Sequence, residues 1–535
     1  MSKPLVFVNG HVMTAEAGAE PRPASAVAVH NGGIVAVGSD DEMRPWLPEA
    51  ELIDLRGRTL TPGFNDAHCH PMGVGFSLLM VNAATPPHRS IADIVAAIGE
   101  RAVQSADGAW VVARGYDDAR LAENRHPTRQ ELDAVSPNNP TLLIRACGHI
   151  GVANSRALAL AGINRDTANP EGGTIDRDVR GEPTGVLREA ALGLVDDTIA
   201  EPKADQIREA LLLAGKKYRS EGVTSWAEAG IRTAAEFQAY EALAQEGKLP
   251  LRSYLMMMIA ETLEPLSRLG IHTGFGDPWL RIGPAKLFLD GSIGGRTARM
   301  SQPYEGEDDN LGLWMEEPRV MQEKLIAAHR AGFQCCAHAI GDAAIELLIQ
   351  TYEEAQERYP RPDARHRIEH SSILRPDLID RIVRLGAIPV PGTTFLYAFE
   401  KAYVQNLGYD RIRWAYAMRT FFDRGIVAPA STDAPVVSTN PMIGIQTMMT
   451  RRSEEGDVIW PEEAVSLEKA VRAYTYNGAY ASFEDEIKGT VAPGKLADLT
   501  VWETDLRTVA PAEMAGVRAD LTVIDGEVVY ERAGA

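Results

Sequence analysis

His68 and His70 close the stretch Thr-Pro-Gly-Phe-Asn-Asp-Ala-His-Cys-His that runs from Thr61 to His70. On a β-strand, residues two apart project to the same face, so the pair offers two imidazoles to one point in space. Neutral imidazole is a common ligand for zinc and other first-row metals. Four further residues end, or lie within, apolar runs downstream. Lys286 sits in Pro-Ala-Lys-Leu-Phe-Leu-Asp, His338 ends Gln-Cys-Cys-Ala-His, His370 ends Arg-Ile-Glu-His, and Asp433 ends Pro-Ala-Ser-Thr-Asp. Each alone has a plainer reading. A single histidine closing an apolar strand is commonly a hydrogen-bonded core residue. Lys286 could be the counter-ion of a buried carboxylate such as Asp290, because a lysine in an apolar run needs such a partner. Asp433, before Ala-Pro, could cap a turn. The six together, at the same end of successive strands and with Lys286 modified, predict a metal centre.

The elements that must carry these residues are strands alternating with helices. Apolar strand-like runs lie near Gly63–His70, Gly222–Glu228, Leu251–Met258, Gly283–Asp290, Phe333–His338, His366–His370, Ala387–Pro391 and Ile426–Asp433. Helical stretches such as Ala204–Glu221, Glu316–Ala331 and Ala343–Arg358 fit between them. The predicted fold is α/β, a (β/α)8 TIM barrel over residues 63–486, in which polar residues at the C-terminal strand ends build the active site. The interval from Gly63 to Gly222 is too long for one helix, so residues 80–205 are expected to form an inserted subdomain over the barrel mouth. It has strand-like runs of its own at Trp110–Arg114 and Thr141–Ala146.

Both ends of the chain are rich in short strands: Leu5–Val8, Ala26–His30, Ile34–Val37 and Glu51–Asp54 at one end, Asp498–Trp502, Leu521–Ile524 and Glu527–Tyr530 at the other. Asn31-Gly32 is a good hairpin turn. Residues 1–62 and 487–535 are therefore expected to join in one small β-sandwich, since two separate mini-domains would each lack core.

Composition narrows the partners. The 535 residues carry 54 basic and 74 acidic side chains, a net charge of −20. That balance disfavours nucleic acid and anionic membrane surfaces and leaves a small-molecule substrate, with a second copy of the chain as the macromolecular partner left open. Four cysteines, Cys69, Cys147, Cys335 and Cys336, are too few for a disulfide framework and fit a reducing cytoplasm. No apolar run approaches the roughly 18 residues of a membrane span, and the N-terminus has no secretory apolar core.

These segments resemble the amidohydrolase superfamily, in particular its YtcJ-like branch, which includes N-substituted formamide deformylases. The likeness covers nearly the whole chain: the 61–70 stretch, Ala-Lys-Leu-Phe-Leu-Asp-Gly-Ser-Ile-Gly-Gly-Arg-Thr-Ala at 285–298, Ala-His-Ala-Ile-Gly-Asp at 337–342 and Arg-Ile-Glu-His-Ser at 367–371. It continues through Ser-Thr-Asp-Ala-Pro-Val at 431–436 and Gly-Thr-Val-Ala-Pro-Gly-Lys-Leu-Ala-Asp-Leu at 489–499. The resemblance implies that CO2 carboxylates Lys286, that His68, His70 and Asp433 bind one divalent ion and His338 and His370 another, and that the Lys286 carbamate spans both. A pair of ions, zinc on general grounds, can deprotonate a bridging water and polarise a carbonyl. Asp433 can then accept the proton and pass it to the leaving nitrogen. Strand eight reads Ser-Thr-Asp where relatives more often have Gly-Ser-Asp, which keeps the ligand.

The pocket is less determined. Arg145-Ala-Cys-Gly-His149 also resembles the branch, where a histidine of the insertion approaches the metal centre, so His149 is a candidate for substrate binding or oxyanion stabilisation. Arg296, on the Gly-rich loop 291–297, is expected to meet a carboxylate or carbonyl of the substrate, with Asp290 beside it. Met256, Met257, Met258, Trp279, Trp314, Phe395 and Tyr397 are candidates for an apolar lining, or else plain core. Cys335 and Cys336 read as small core residues, one facing the centre and the other the helices.

The expected function is hydrolysis of a carbon–nitrogen amide bond in a small, largely apolar substrate: an N-substituted formamide or a related amide, imide or carbamate. Heterocycle deamination on this scaffold typically uses one ion, no modified lysine and a His-x-x-Glu, whereas His338 is followed by Ala-Ile-Gly-Asp. Ester or lactone hydrolysis would use the same centre. A non-catalytic binding protein would be signalled by a lost ligand, and none is lost.

Overall fold

The computed structural model describes residues 3–16, 23–146, 148–170 and 172–534; Cys147 lies outside them. The chain divides into two compact units, Met1–Gly73 with Leu211–Ala535, and Val74–Ala210.

In the first unit seven parallel strands run in the order Ile388–Pro391, Arg367–His370, Cys335–Ala339, Leu280–Phe288, Arg252–Met258, Val223–Ile231, Phe64–Cys69. Neighbours in space are neighbours in this list, and all pairs are parallel, as βα units require. The helices between them include Ala234–Gln245, Pro318–Arg330 and Asp342–Arg358. The first begins on a Thr233/Glu236 capping box, which satisfies otherwise orphaned N–H groups reciprocally.

The expected eighth strand is corrected. Residues 426–433 hold no regular strand; one isolated parallel bridge, Gly392 to Ser431, replaces it. Pro429 removes a backbone donor, and Asp433 has a left-handed backbone, φ 59°. The segment still hydrogen-bonds to both ends of the sheet. Asp433 N–H donates to the His68 carbonyl (2.8 Å), Ala67 N–H to the Ala430 carbonyl (3.3 Å), and Thr393 N–H to the Ser431 carbonyl (3.2 Å).

Two further sheets belong to this unit. One contains Gly33–Gly38, Ala26–His30, Leu5–Val8 and Glu51–Asp54; the other contains His11–Val12, Thr59–Pro62, Leu499–Trp502, Ala519–Ile524 and Glu527–Glu531. One apolar cluster draws on both sheets, with Phe7, Val27 and Val29 from the first and Leu60, Leu499, Val501 and Val523 from the second. The hairpin at Asn31-Gly32 has φ 49° and 77°, the two positive values that a type I′ turn needs. Buried Arg252, at the start of its parallel strand, donates to both Asp498 oxygens and so ties that end of the sheet to the strand 499–502.

The second unit holds a six-stranded mixed sheet. Val81–Asn82, Val111–Tyr116 and Thr141–Arg145 are parallel, and Ile150–Ala153, Pro183–Glu189 and Gly173–Arg177 continue antiparallel. Helix Ile91–Gln104 presents Ile91, Ile94 and Ile98 at helical spacing to that sheet's core. Among the described residues no helix is long and apolar enough to cross a membrane.

Candidate metal centre

Strand register sets the candidate ligands near the C-terminal ends of neighbouring strands. Lys286 pairs with Cys336, two residues before His338, while Phe288 pairs with His338, His338 with Glu369, and Ala339 with His370. Left-handed backbone at His370 (φ 66°) and Ser371 (φ 44°) breaks the alternation of a strand. Consecutive Glu369 and His370 can therefore both meet His68: Glu369 by hydrogen bond and His370 by ring contact at 4.7 Å. Left-handed residues without the excuse of glycine are costly and cluster at functional sites.

His68, His70 and Asp433 form a group whose ligand atoms lie within 4.8 Å of one another. The two imidazole Nε2 atoms stand 3.4 and 3.3 Å from the same Asp433 Oδ1. Their Nδ1 atoms are turned the other way, His68 donating to buried Glu369 and His70 standing 3.6 Å from Glu228. A metal-ligating histidine commonly holds its second nitrogen on a carboxylate in this manner. Both carboxylates are anchored. Arg367 donates to the two oxygens of Glu369 at 2.7 and 3.0 Å, and Tyr240 donates to Glu228 at 2.9 Å. Asp66, also buried, accepts from the hydroxyl and N–H of Thr432 and fastens strand 64–69 to the segment carrying Asp433.

His338 and His370 adjoin this group. Their rings meet edge to face at 4.5 Å. His338 Nε2 donates to the Gly291 carbonyl at 2.9 Å, leaving Nδ1 as its lone-pair nitrogen. Lys286 Nζ lies 5.1 Å from the Phe288 ring. Three buried side-chain atoms here have no hydrogen-bond partner, Lys286 Nζ, Asp433 Oδ1 and the Oγ of Ser371 next to His370. Such atoms are rare and costly unless something else satisfies them.

Burial is the main force on these groups. It pushes His68 and His370 well below the usual imidazole range and His338 down to about 4, with the Lys286 cation adding to the effect. It also lowers the Lys286 amine, against the pull of Glu369 and Asp433. For His70 burial is outweighed by Asp433 and Glu228, which lift it to about 9. That spot favours positive charge, so a proton and a metal cation would compete for it.

Three pocket candidates have neighbours within the protein. Trp279 precedes the first residue of strand 280–288, at the end opposite Lys286, where the Arg252 guanidinium lies 4.6 Å above its ring. Arg296 is occupied by Glu307 and by Asn406 at 2.9 Å and braces its own loop. Asp290 is buried and accepts from the N–H groups of Ile340 (3.1 Å), Gly341 (2.8 Å) and Arg299 (2.9 Å), with His338 Nε2 at 3.6 Å. Burial raises its carboxyl to about 7 despite those donors. No ion pair joins it to Lys286 among the described residues. In the second unit His149 Nδ1 pairs with Glu189 at 2.9 Å. Met256 and Cys336 are buried together, and Cys335 faces the helix 318–330 through the Leu325 carbonyl.

The sequence reading missed Glu228, Glu369, Arg367 and Asp66. Glu369 and Arg367 stood inside the quoted Arg-Ile-Glu-His, and Glu228 ends the apolar run of its strand. A carboxylate on a strand otherwise apolar was the available signal.

Four neighbouring imidazoles and the carboxylates beside them make a candidate metal site of the kind a metal-dependent hydrolase needs. The chain belongs to the amidohydrolase family, whose model matches residues 51–530, and is a hydrolase acting on carbon–nitrogen bonds. It is 30% identical to the YtcJ protein of Bacillus subtilis over 520 residues, 95% of this chain and 96% of that one. It is also 30% identical to the N-substituted formamide deformylase of Arthrobacter pascens over 544 residues, 99% of each. Among solved structures it resembles an uncharacterized metal-dependent hydrolase from Pyrococcus furiosus, with a TM-score of 0.78 at 26% identity, covering 95% of this chain and all of that one (100%).

Proposed function

We propose that this protein hydrolyses the carbon–nitrogen bond of a small, largely apolar amide, imide or carbamate at a centre of two divalent ions. In this reading the parallel sheet with segment 426–433 is a (β/α)8 barrel, and the two outer sheets are a β-sandwich built from both termini. His68, His70 and Asp433 would hold one ion, His338 and His370 the other, and Lys286, as its carbamate, would serve both. The observation that carries the reading is that buried Lys286 Nζ and Asp433 Oδ1 lack hydrogen-bond partners beside a row of four neighbouring histidines. A depressed amine is uncharged more of the time, and only the uncharged amine adds to CO2; addition forms the N–C bond and releases one proton. The carbamate would replace an ammonium that dications would repel.

Two bound divalent ions, zinc by ligand type, supply Lewis acidity and a water nucleophile at neutral pH. The residues supply placement and proton traffic. Glu369 and Glu228 fix which nitrogen of His68 and His70 points inward. Asp433 accepts a proton from the attacking water as its oxygen bonds to the carbonyl carbon. It returns that proton to the amide nitrogen as the carbon–nitrogen bond breaks, giving an acid and an amine. His149 is assigned to the substrate on its resemblance alone. The deformylase relative makes formamides one arm of the test. The experiment is metal analysis of purified protein with a hydrolysis panel of formamides, acyl amides, imides, carbamates and esters. Near two ions per chain with amide turnover is expected; preference for esters over every amide would overturn the carbon–nitrogen reading.

A further inference from the structure

Five rings form a continuous chain through the candidate centre. Phe288 lies 5.3 Å from His338, His338 4.5 Å from His370, His370 5.8 Å from Phe395 in a stacked pair, and Phe395 5.4 Å from Phe399. The middle of the chain is imidazole and both ends are phenylalanine. The two ends share a further property: Phe288 and Phe399 are only half-buried. Lys286 and Phe288 are two apart on strand 280–288 and share its inward face, Phe288 one step nearer the strand's C-terminal end. Phe399 stands one helical turn beyond Phe395 in helix Phe395–Leu407, on the same side. Phe395 is itself buried in an apolar cluster with Tyr403, Tyr416 and Ile459.

A half-open aromatic beside a polar centre leaves apolar surface in water, and a bound apolar group recovers that surface. Phe288 stands directly against the centre through His338, while Phe399, packed on the Phe395 cluster, lies one ring beyond it, with the imidazoles of two proposed ligands between the two. We propose that the substrate bears an apolar substituent on each side of the scissile bond, one packing on Phe288 and the other on Phe399. This rests on the amide-hydrolase reading and sharpens it: an acyl amide with apolar groups on both carbonyl carbon and nitrogen fits both surfaces, whereas a formamide fills one. Phe288 and Phe399 are specificity-determining residues that act by packing alone.

The test is a two-by-two set of amides: N-methylacetamide, N-hexylacetamide, N-methylheptanamide and N-hexylheptanamide. In the wild-type holoenzyme kcat/KM rises at least about tenfold with each hexyl extension. Phe288→Ala flattens the gradient for one substituent and Phe399→Ala the gradient for the other, while Phe288→Leu restores part of the first. Metal content of each variant is measured, so a disturbed His338 is not mistaken for a lost wall. Calorimetric binding of N-hexylheptanamide, compared with N-methylacetamide, gives a readout that needs no turnover. If no amide is hydrolysed yet the long amide binds at least tenfold tighter through both phenylalanines, the catalytic reading fails and the walls stand. If amides turn over and the variants keep the wild-type gradients, or if formamides outrun every acyl amide, the two-sided pocket is refuted.

Discussion

Two groups of histidines behave oppositely. His329, near the end of helix 318–330, and His366, just before the start of strand 367–370, are buried, and every ring nitrogen has a protein partner. Cys335 N–H donates to His366 Nδ1 (2.9 Å), His366 Nε2 bonds to His329 Nδ1 (2.8 Å), and His329 Nε2 donates to the Tyr359 carbonyl (2.7 Å). The chain of donors fixes both tautomers. At the other end of the parallel sheet His68 and His70 spend one nitrogen each on carboxylates and aim the second at an Asp433 oxygen that has no hydrogen-bond partner. Residue type is the same, and His68 is as buried as His329 and His366 while His70 is half-buried; what separates a structural histidine from a candidate ligand is whether its last nitrogen is already spent.

Removing metal should break the comparison most completely. Chelation of the purified protein is expected to abolish hydrolysis and lower the melting temperature, with zinc restoring both; activity that survives exhaustive chelation would make the upper histidines merely structural. Asp433→Asn comes next. It should keep the fold and much of the metal while losing about 10²–10⁴-fold in kcat, and a rate within a few-fold of wild type would move the proton shuttle elsewhere. Glu228→Gln tests the second nitrogen of His70, with metal affinity expected to fall about 10–100-fold in a competition titration. An unchanged affinity would show that the 3.6 Å contact does no positioning.

The smallest effect sharpens the other half. His366→Leu strands the Cys335 N–H and one His329 nitrogen and should cost about 1–3 kcal/mol of stability without changing metal content. Burial holds both His329 and His366 below the usual imidazole range, with Arg361 close by adding to it. The folded state therefore binds fewer protons than the unfolded one. The contribution of the pair is full above about pH 6.5 and is lost as pH falls towards the folded values. Denaturation scans across that range should show this acid loss in wild type and a weaker one in His366→Leu.

Much of the site was legible because ligands must end apolar strands, and such endings stand out along the chain. His68, His70, His338, His370 and Asp433 were expected on that ground and Lys286 as a lysine within an apolar strand, and the structure gathers the first two with Asp433 directly. The supporting carboxylates were not found, because Glu228 and Glu369 look like any acidic residue until their imidazole partners, far away in sequence, are placed. Trp279 failed for a different reason. An aromatic on a barrel strand carries no mark of which end it occupies unless the strand's first residue is known, and strand 280–288 begins one residue after it. The Glu307 and Asn406 partners of Arg296 could not be read from the sequence, because Asn406 is far away along the chain.

The sequence by itself determined the periodic elements, the hairpin at Asn31-Gly32, the strand-end ligand types and the family, since these depend on local pattern and spacing. Tertiary structure alone decided that segment 426–433 bridges the two ends of the sheet without becoming a strand, because its hydrogen bonds go to Ala67 and His68 at one end of the sheet and to Thr393 at the other. It also decided which nitrogen of each imidazole is held and which is offered. That choice belongs to Glu369, Glu228, Gly291 and Asp290, groups brought within hydrogen-bonding or ion-pairing reach by packing the strands side by side.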